Sequence, residues 1–143
     1  MILQVIASMV GTLAFAILFN APRKEYFFCG VNGGLAWLAY LLFIRAGVGV
    51  ALASMGATVI LTLAARGFSS WRKCPVTVFL ITGIFVLVPG AGIYYTAYYL
   101  LMNDLAQFSA KGLETFKIAG AIALGIVFGF AIPQRVFNKI GKR

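Results

Sequence analysis

The residues best placed to do chemistry in this chain surround a break. Residues 76–102 form a run of 27 without a charge, and Pro89-Gly90 falls in its middle, within Val-Leu-Val-Pro-Gly-Ala-Gly. Pro89 has no N–H for the carbonyl of Phe85 and its ring crowds that carbonyl, while Gly90 is free to leave helical geometry. A helix is therefore expected to kink or open here, and an opened helix end presents N–H donors suited to a carboxylate. Thr82 lies about two turns before Pro89 and Tyr94 just over one turn after Gly90, so both face the break if the helix bends inward. Tyr95 is placed beside them. A plain proline kink that binds nothing is the other reading of the same residues.

Asn32, inside Gly30-Val-Asn-Gly-Gly34, is the most polar side chain well within an apolar segment. Its amide both donates and accepts, which suits a carboxylate ligand or a bond to a neighbouring helix. Gly33-Gly34 beside it weaken the helix and leave backbone accessible. No Asp, Glu, Lys, Arg or His lies deep inside an apolar segment, so a coupling acid is expected from a partner, or the substrate carries its own proton, or the gradient alone drives movement. Asp104, at the outer end of the broken segment, is a candidate proton or substrate contact and equally a solvated loop acid. Arg66 and Lys73 are candidates for a cytoplasmic entrance that draws in anions by its field, or ordinary topology anchors.

The elements that must position these residues follow from composition. Of 143 residues, 62% are hydrophobic and 10% charged, and no soluble fold of this size hides that much apolar surface. The expectation is an all-α integral membrane protein. The absence of His removes the usual metal ligand and proton shuttle, so no metal or cofactor is expected. The net charge of +9 is compatible with nucleic acid, but the basic residues fall at the ends of apolar segments and report orientation instead. The partner they imply is a lipid bilayer.

Five apolar stretches predict a bundle of five crossings at about 2–19, 27–44, 46–65, 76–102 and 118–132. A straight helix over 76–102 measures about 40 Å against a hydrocarbon core of roughly 30 Å, so it is tilted, overlong or discontinuous, crossing once or as two half-helices. The first stretch is expected to be a retained helix rather than a signal peptide, because no Lys or Arg precedes it. With five crossings, the loops at 20–26 and 66–75 and the C-terminal tail share one side and carry nine of the basic residues: Arg23, Lys24, Arg66, Arg72, Lys73, Arg135, Lys139, Lys142 and Arg143. The other side holds Arg45, Lys111 and Lys117 with Asp104 and Glu114. This bias places the N-terminus outside and the C-terminus in the cytoplasm. Cys29 and Cys74 then lie near cytoplasmic helix ends, where thiols stay reduced. Basic neighbours are able to lower the Cys74 pKa, although a small structural thiol is the simpler role.

Gln4, Ser8, Thr12, Ala16 and Asn20 recur every four residues, so one face of the first helix is small or polar and should avoid lipid. It is a packing seam or a pore lining. Further small-residue rows are Gly30 and Gly34, then Gly49, Ala53 and Ala57, then Ala121, Gly125 and Gly129. Some of these faces are expected to meet another chain, whether a longer partner or further copies in a homo-oligomer.

No nucleotide loop, hydrolase elbow or metal-spaced set is present, so the chain does not read as an enzyme. The stretch from Phe19-Asn-Ala-Pro22, through Gly30-Val-Asn-Gly-Gly34 with Trp37 and Tyr40, to Arg72-Lys-Cys-Pro75 and Leu87-Val-Pro-Gly90 with Tyr94, resembles the threonine/serine exporter (ThrE-like) family. Within it the likeness is to the short membrane subunit of the split, two-subunit form, and it covers nearly the whole chain. The resemblance implies a ten-helix exporter in the cell inner membrane, built from a longer subunit and this five-helix one. It implies threonine and serine, or dicarboxylates such as succinate, as substrates. The expected function is thus a subunit of a secondary exporter, with Asn32, Thr82, Pro89, Gly90, Tyr94 and Tyr95 around the substrate. The alternative is a non-transporting scaffold that assembles a partner transporter.

Overall fold

The computed structural model describes residues 1–139; Lys142 and Arg143, counted above in the basic set, lie outside the described residues. Helix α1 (Ile2–Leu18) ends where Asn20 takes φ 54° ahead of Pro22, and a 3₁₀ turn at Arg23–Glu25 leads into α2 (Tyr26–Arg45). Gly47 at φ 80° turns the chain into α3 (Val50–Arg72). Lys73, left-handed at φ 53°, closes α3 just before Pro75 caps α4 (Val76–Ile84). The remaining helices are α5 (Gly90–Leu101), α6 (Leu105–Ala131) and α7 (Arg135–Asn138), and among the described residues there is no strand. Three spans are long and apolar enough to cross a membrane: Arg23–Arg45, which takes in the 3₁₀ turn, Val50–Arg72 and Leu105–Ala131. The apolar α1 is shorter, at 17 residues.

Three boundaries differ from the sequence expectation. The third helix begins at Val50 rather than 46 and continues through Arg66 to Arg72 rather than stopping at 65. It can continue because the Arg66 guanidinium is hydrogen-bonded by protein carbonyls and need not reach water. The 66–75 loop is thus only 73–75. The last helix begins at Leu105 rather than 118, since Asp104 accepts from the Gln107 N–H at 3.1 Å and starts it early. Lys111, Glu114 and Lys117 therefore ride on a helix and not in a loop. Segment 76–102 consists of two helices, and the first stops at Ile84, a turn before Pro89. Pro89 itself takes φ −76°, ψ 64°, and the Gly90 N–H donates to Val88 O at 2.8 Å, an inverse γ-turn that satisfies one group the break sets free.

The helices meet through small residues. Thr12 and Met9 of α1 seat against Gly33 and Gly34 of α2, and Ser8, Thr12 and Ala16 are the buried residues of α1. This face is the seam rather than a pore lining. Phe79 of α4 and Leu61 of α3 fill the centre with Ala16, Ala36, Ala57 and Ala65, all wholly buried. Gly125 of α6 meets Thr58 of α3 and Gly129 meets Thr62, so α3 and α6 run parallel at a constant offset of 67 residues. That offset sets Val50 level with Lys117. Residues 105–117, about 20 Å of helix, extend past the start of α3, and α5 lies along them through Gly92 on Thr115 and Gly112 on Thr96. No residue of α5 is buried.

The close approach of α3 and α6 yields a stability prediction. A Cβ at Gly125 would stand 2.7 Å from the Met55 carbonyl oxygen and 2.8 Å from Thr58 Cβ. Gly125→Ala is expected to cost about 1–3 kcal/mol through overpacking. Gly120→Ala, with open space around it, is expected to be neutral or mildly stabilising on helix propensity. Thermal unfolding of the two variants in detergent checks the contrast.

Candidate functional site

The six proposed substrate residues fall into two groups. Asn32 is fully buried, and its amide Nδ2 donates to Phe79 O of α4 at 3.0 Å. Thr82 is buried one turn beyond Phe79 and donates to Val78 O at 2.8 Å, with Phe79 O 3.3 Å away. Asn32 thus makes a helix-to-helix bond, and its Oδ1 is buried without a partner among the described residues. The second group sits at the start of α5. Pro89 is half-buried and Gly90, Tyr94 and Tyr95 are exposed. Tyr94 stacks on Tyr98 and Tyr95 on Tyr99, both pairs with ring centroids 6.4 Å apart. The structure does not bring the two groups together: among the described residues, the hollows at Pro89 are lined by neither Asn32 nor Thr82, and the hollow beside Thr82 by none of Pro89, Gly90, Tyr94 and Tyr95.

Two hollows meet at Pro89. One, of about 710 Å³, is an apolar groove between α5 and α6 walled by Ile84, Val88, Ile93, Ile122 and Ile126. Thr96 lies in it with its hydroxyl already spent on Gly92 O at 2.7 Å. The other, of about 240 Å³, is lined by Pro89, Gly92, Tyr95, Lys111, Glu114 and Thr115, with Ala91 and Ile118. Lys111 Nζ and Glu114 Oε2 are 3.0 Å apart, one turn apart on α6. The first N–H groups of α5 precede any intrahelical acceptor and sit at the positive end of its dipole. A positive group, a negative group and two hydroxyls therefore line one small hollow at the break. Lys111 and Glu114 went unrecognised in the sequence, although Asp104-Leu-Ala-Gln107 carries a helix-start pattern that carries the helical period upstream of Ile118.

The two entrance candidates have different fates. Lys73 is exposed at the end of α3. Arg66 is 3% exposed; its Nη1 donates to Gly129 O and Ile132 O and its Nη2 to Gln134 Oε1, each at 2.7 Å. Its guanidinium also packs on Phe137, 4.5 Å from the ring centroid. Arg66 therefore caps the α6 carbonyls, and its donors are not open at an entrance. Asp104 is exposed and caps α6, and it lines neither hollow at Pro89. Glu25 was passed over in the sequence: it is buried and paired with Arg72 at 2.9 Å, a contact across 47 residues that no local pattern announces. Both cysteines are free. Burial pushes the Cys74 thiol above its ordinary range, the Glu25 charge adds to this, and Arg72 opposes it without prevailing. The basic neighbours do not activate Cys74. A raised pKa leaves less thiolate at neutral pH, so iodoacetamide is expected to modify Cys74 more slowly than an unstructured cysteine, with the rate rising into the alkaline range. Alkylation rates against pH check this.

Apolar helices long enough to cross a bilayer, packed through glycine, alanine and threonine, define an all-helical membrane protein. The family model described as Threonine/Serine exporter, ThrE, matches residues 4–132, and the chain belongs to that family. Its members are membrane transporters, not enzymes. No solved structure matches the chain.

Proposed function

We propose that this chain is the membrane subunit of a secondary exporter of small carboxylate-bearing metabolites, acting with a longer partner subunit in the cell inner membrane. Its fold is read as five crossings with the N-terminus outside and the C-terminus in the cytoplasm, α4 and α5 being the halves of the fourth. The parallel run of α3 and α6 supports this, since alternate crossings share a direction.

The observation that carries the reading is the Lys111–Glu114 pair beside the first turn of α5. An amino-acid zwitterion fits such a place: its carboxylate takes Lys111 and the α5 N–H groups, and its ammonium takes Glu114. The hydroxyls of Tyr95 and Thr115 suit the side-chain hydroxyl of threonine or serine, and Tyr94 stands at the rim. A dicarboxylate such as succinate uses the positive groups alone. Asn32 and Thr82 belong to the inner stretch of the path, Lys73 and the Arg66 charge to the field at its cytoplasmic end, and Asp104 to its outer end.

Pro89→Ala with Gly90→Ala is expected to close the break and lower efflux of labelled threonine at least tenfold, in cells expressing the chain with its longer partner. Unchanged efflux at equal membrane abundance would put the site elsewhere. One observation favours the scaffold reading: α5 has no buried residue, so its hairpin with α6 is free to hold a partner. The scaffold predicts that the partner transports alone.

A further inference from the structure

Among the described residues Glu25 is the one buried acid, with its side chain 8% exposed, carried on the 3₁₀ turn ahead of α2. Arg72, the last residue of α3, grips it with two edges of one fork, Nε to Oε2 at 2.9 Å and Nη2 to Oε1 at 3.1 Å. A guanidinium recognises any carboxylate in this way. Three features set the pair apart from a simple tie between helices. The guanidinium lies over the Phe28 ring, 4.6 Å from its centroid, and Trp71 braces that ring edge-on at 5.4 Å, so the fork has a support besides Glu25. The Arg72 side chain is 31% exposed while the acid it holds is buried, and Nη1 makes no hydrogen bond among the described residues. Arg23, Lys24 and Lys73 adjoin the pair along the chain with no further acid beside them, and their field concentrates anions there.

We propose that Arg72 is a carboxylate-binding site and Glu25 its internal occupant, which a small soluble carboxylate displaces from the fork. The proposal rests on the export reading for the identity of that carboxylate, and it gives the substrate a first station at the inner end, ahead of the hollow at the break. Its test reads binding and involves no transport, so its failure and the failure of the export reading are distinguishable.

The whole chain, purified in detergent with Trp37→Phe so that Trp71 is the sole indole, is titrated with sodium succinate at fixed ionic strength against sodium chloride. Glu25→Gln removes the internal competitor and is expected to tighten succinate binding roughly tenfold or more. Arg72→Gln is expected to abolish the Trp71 response, and Lys111→Gln, at the other end of the molecule, to leave it intact. In the unsubstituted chain, succinate but not chloride is expected to slow phenylglyoxal modification of Arg72, read by mass spectrometry, a measurement independent of any folding defect in a variant. A Glu25→Gln chain that binds succinate no more tightly, or equal protection of Arg72 by the two salts, would overturn the proposal.

Discussion

Glutamine in place of Glu114 is expected to remove threonine and serine export while sparing succinate. The Glu114 carboxylate stands 3.0 Å from Lys111 and is the one anion among the residues that line the hollow, so it favours an ammonium and repels a second carboxylate. Charged hydrogen bonds of this kind discriminate by roughly ten- to a hundredfold, and the loss should appear in kcat/KM for amino acids. Lys111→Gln is expected to depress both substrate classes, because each brings a carboxylate. Efflux measured for labelled threonine and labelled succinate in parallel gives the ratio that separates the two variants. Equal losses for both substrates in Glu114→Gln would mean that the residue only braces Lys111.

Arg66→Met is expected to lower stability by about 3 kcal/mol. The change strips the Gly129 and Ile132 carbonyls of a charged donor in a site 3% exposed and removes the stack on Phe137. Arg66→Lys should recover only part of the loss, since an ammonium cannot serve three acceptors in a planar fork. Unfolding in detergent measures the stability. The charge that Arg66 lends to the field at the proposed entrance adds a second effect: in the Arg66→Met protein that remains folded, KM is expected to rise and to become less sensitive to salt.

The membrane class and the seams were legible in the sequence because both rest on local pattern. The four-residue recurrence of Ser8, Thr12 and Ala16 places them on one face, and that face is buried. The proline at 89 likewise announces that residues 76–102 do not form one continuous helix. The helix stops a turn earlier, at Ile84, because a proline penalises the turn that precedes it. Charge misled the reading of two helix boundaries. Arg66 and Lys117 looked like helix boundaries, yet a helix passes through each: protein carbonyls solvate Arg66, and Lys117 lies on α6 level with the start of α3. The union of Asn32 with Tyr94 failed for a different reason. Spacing along a helix fixes angular position, but not which of two separated helices a residue ends on. The Glu25–Arg72 and Asn32–Phe79 contacts depend on how α2, α3 and α4 pack, and that information is distributed over the whole core.

In the proposed exporter the substrate sits where α5 begins, against Lys111, Glu114 and Thr115. Cysteine protection reads this directly. A Thr115→Cys chain, with Cys29→Ser and Cys74→Ser so that no other thiol reports, is labelled with a small methanethiosulfonate in membranes that also hold the longer partner. Threonine is predicted to slow labelling with a half-maximal concentration that tracks the KM for efflux. Labelling that stays constant up to saturating threonine, in membranes that still export it, would place the substrate elsewhere.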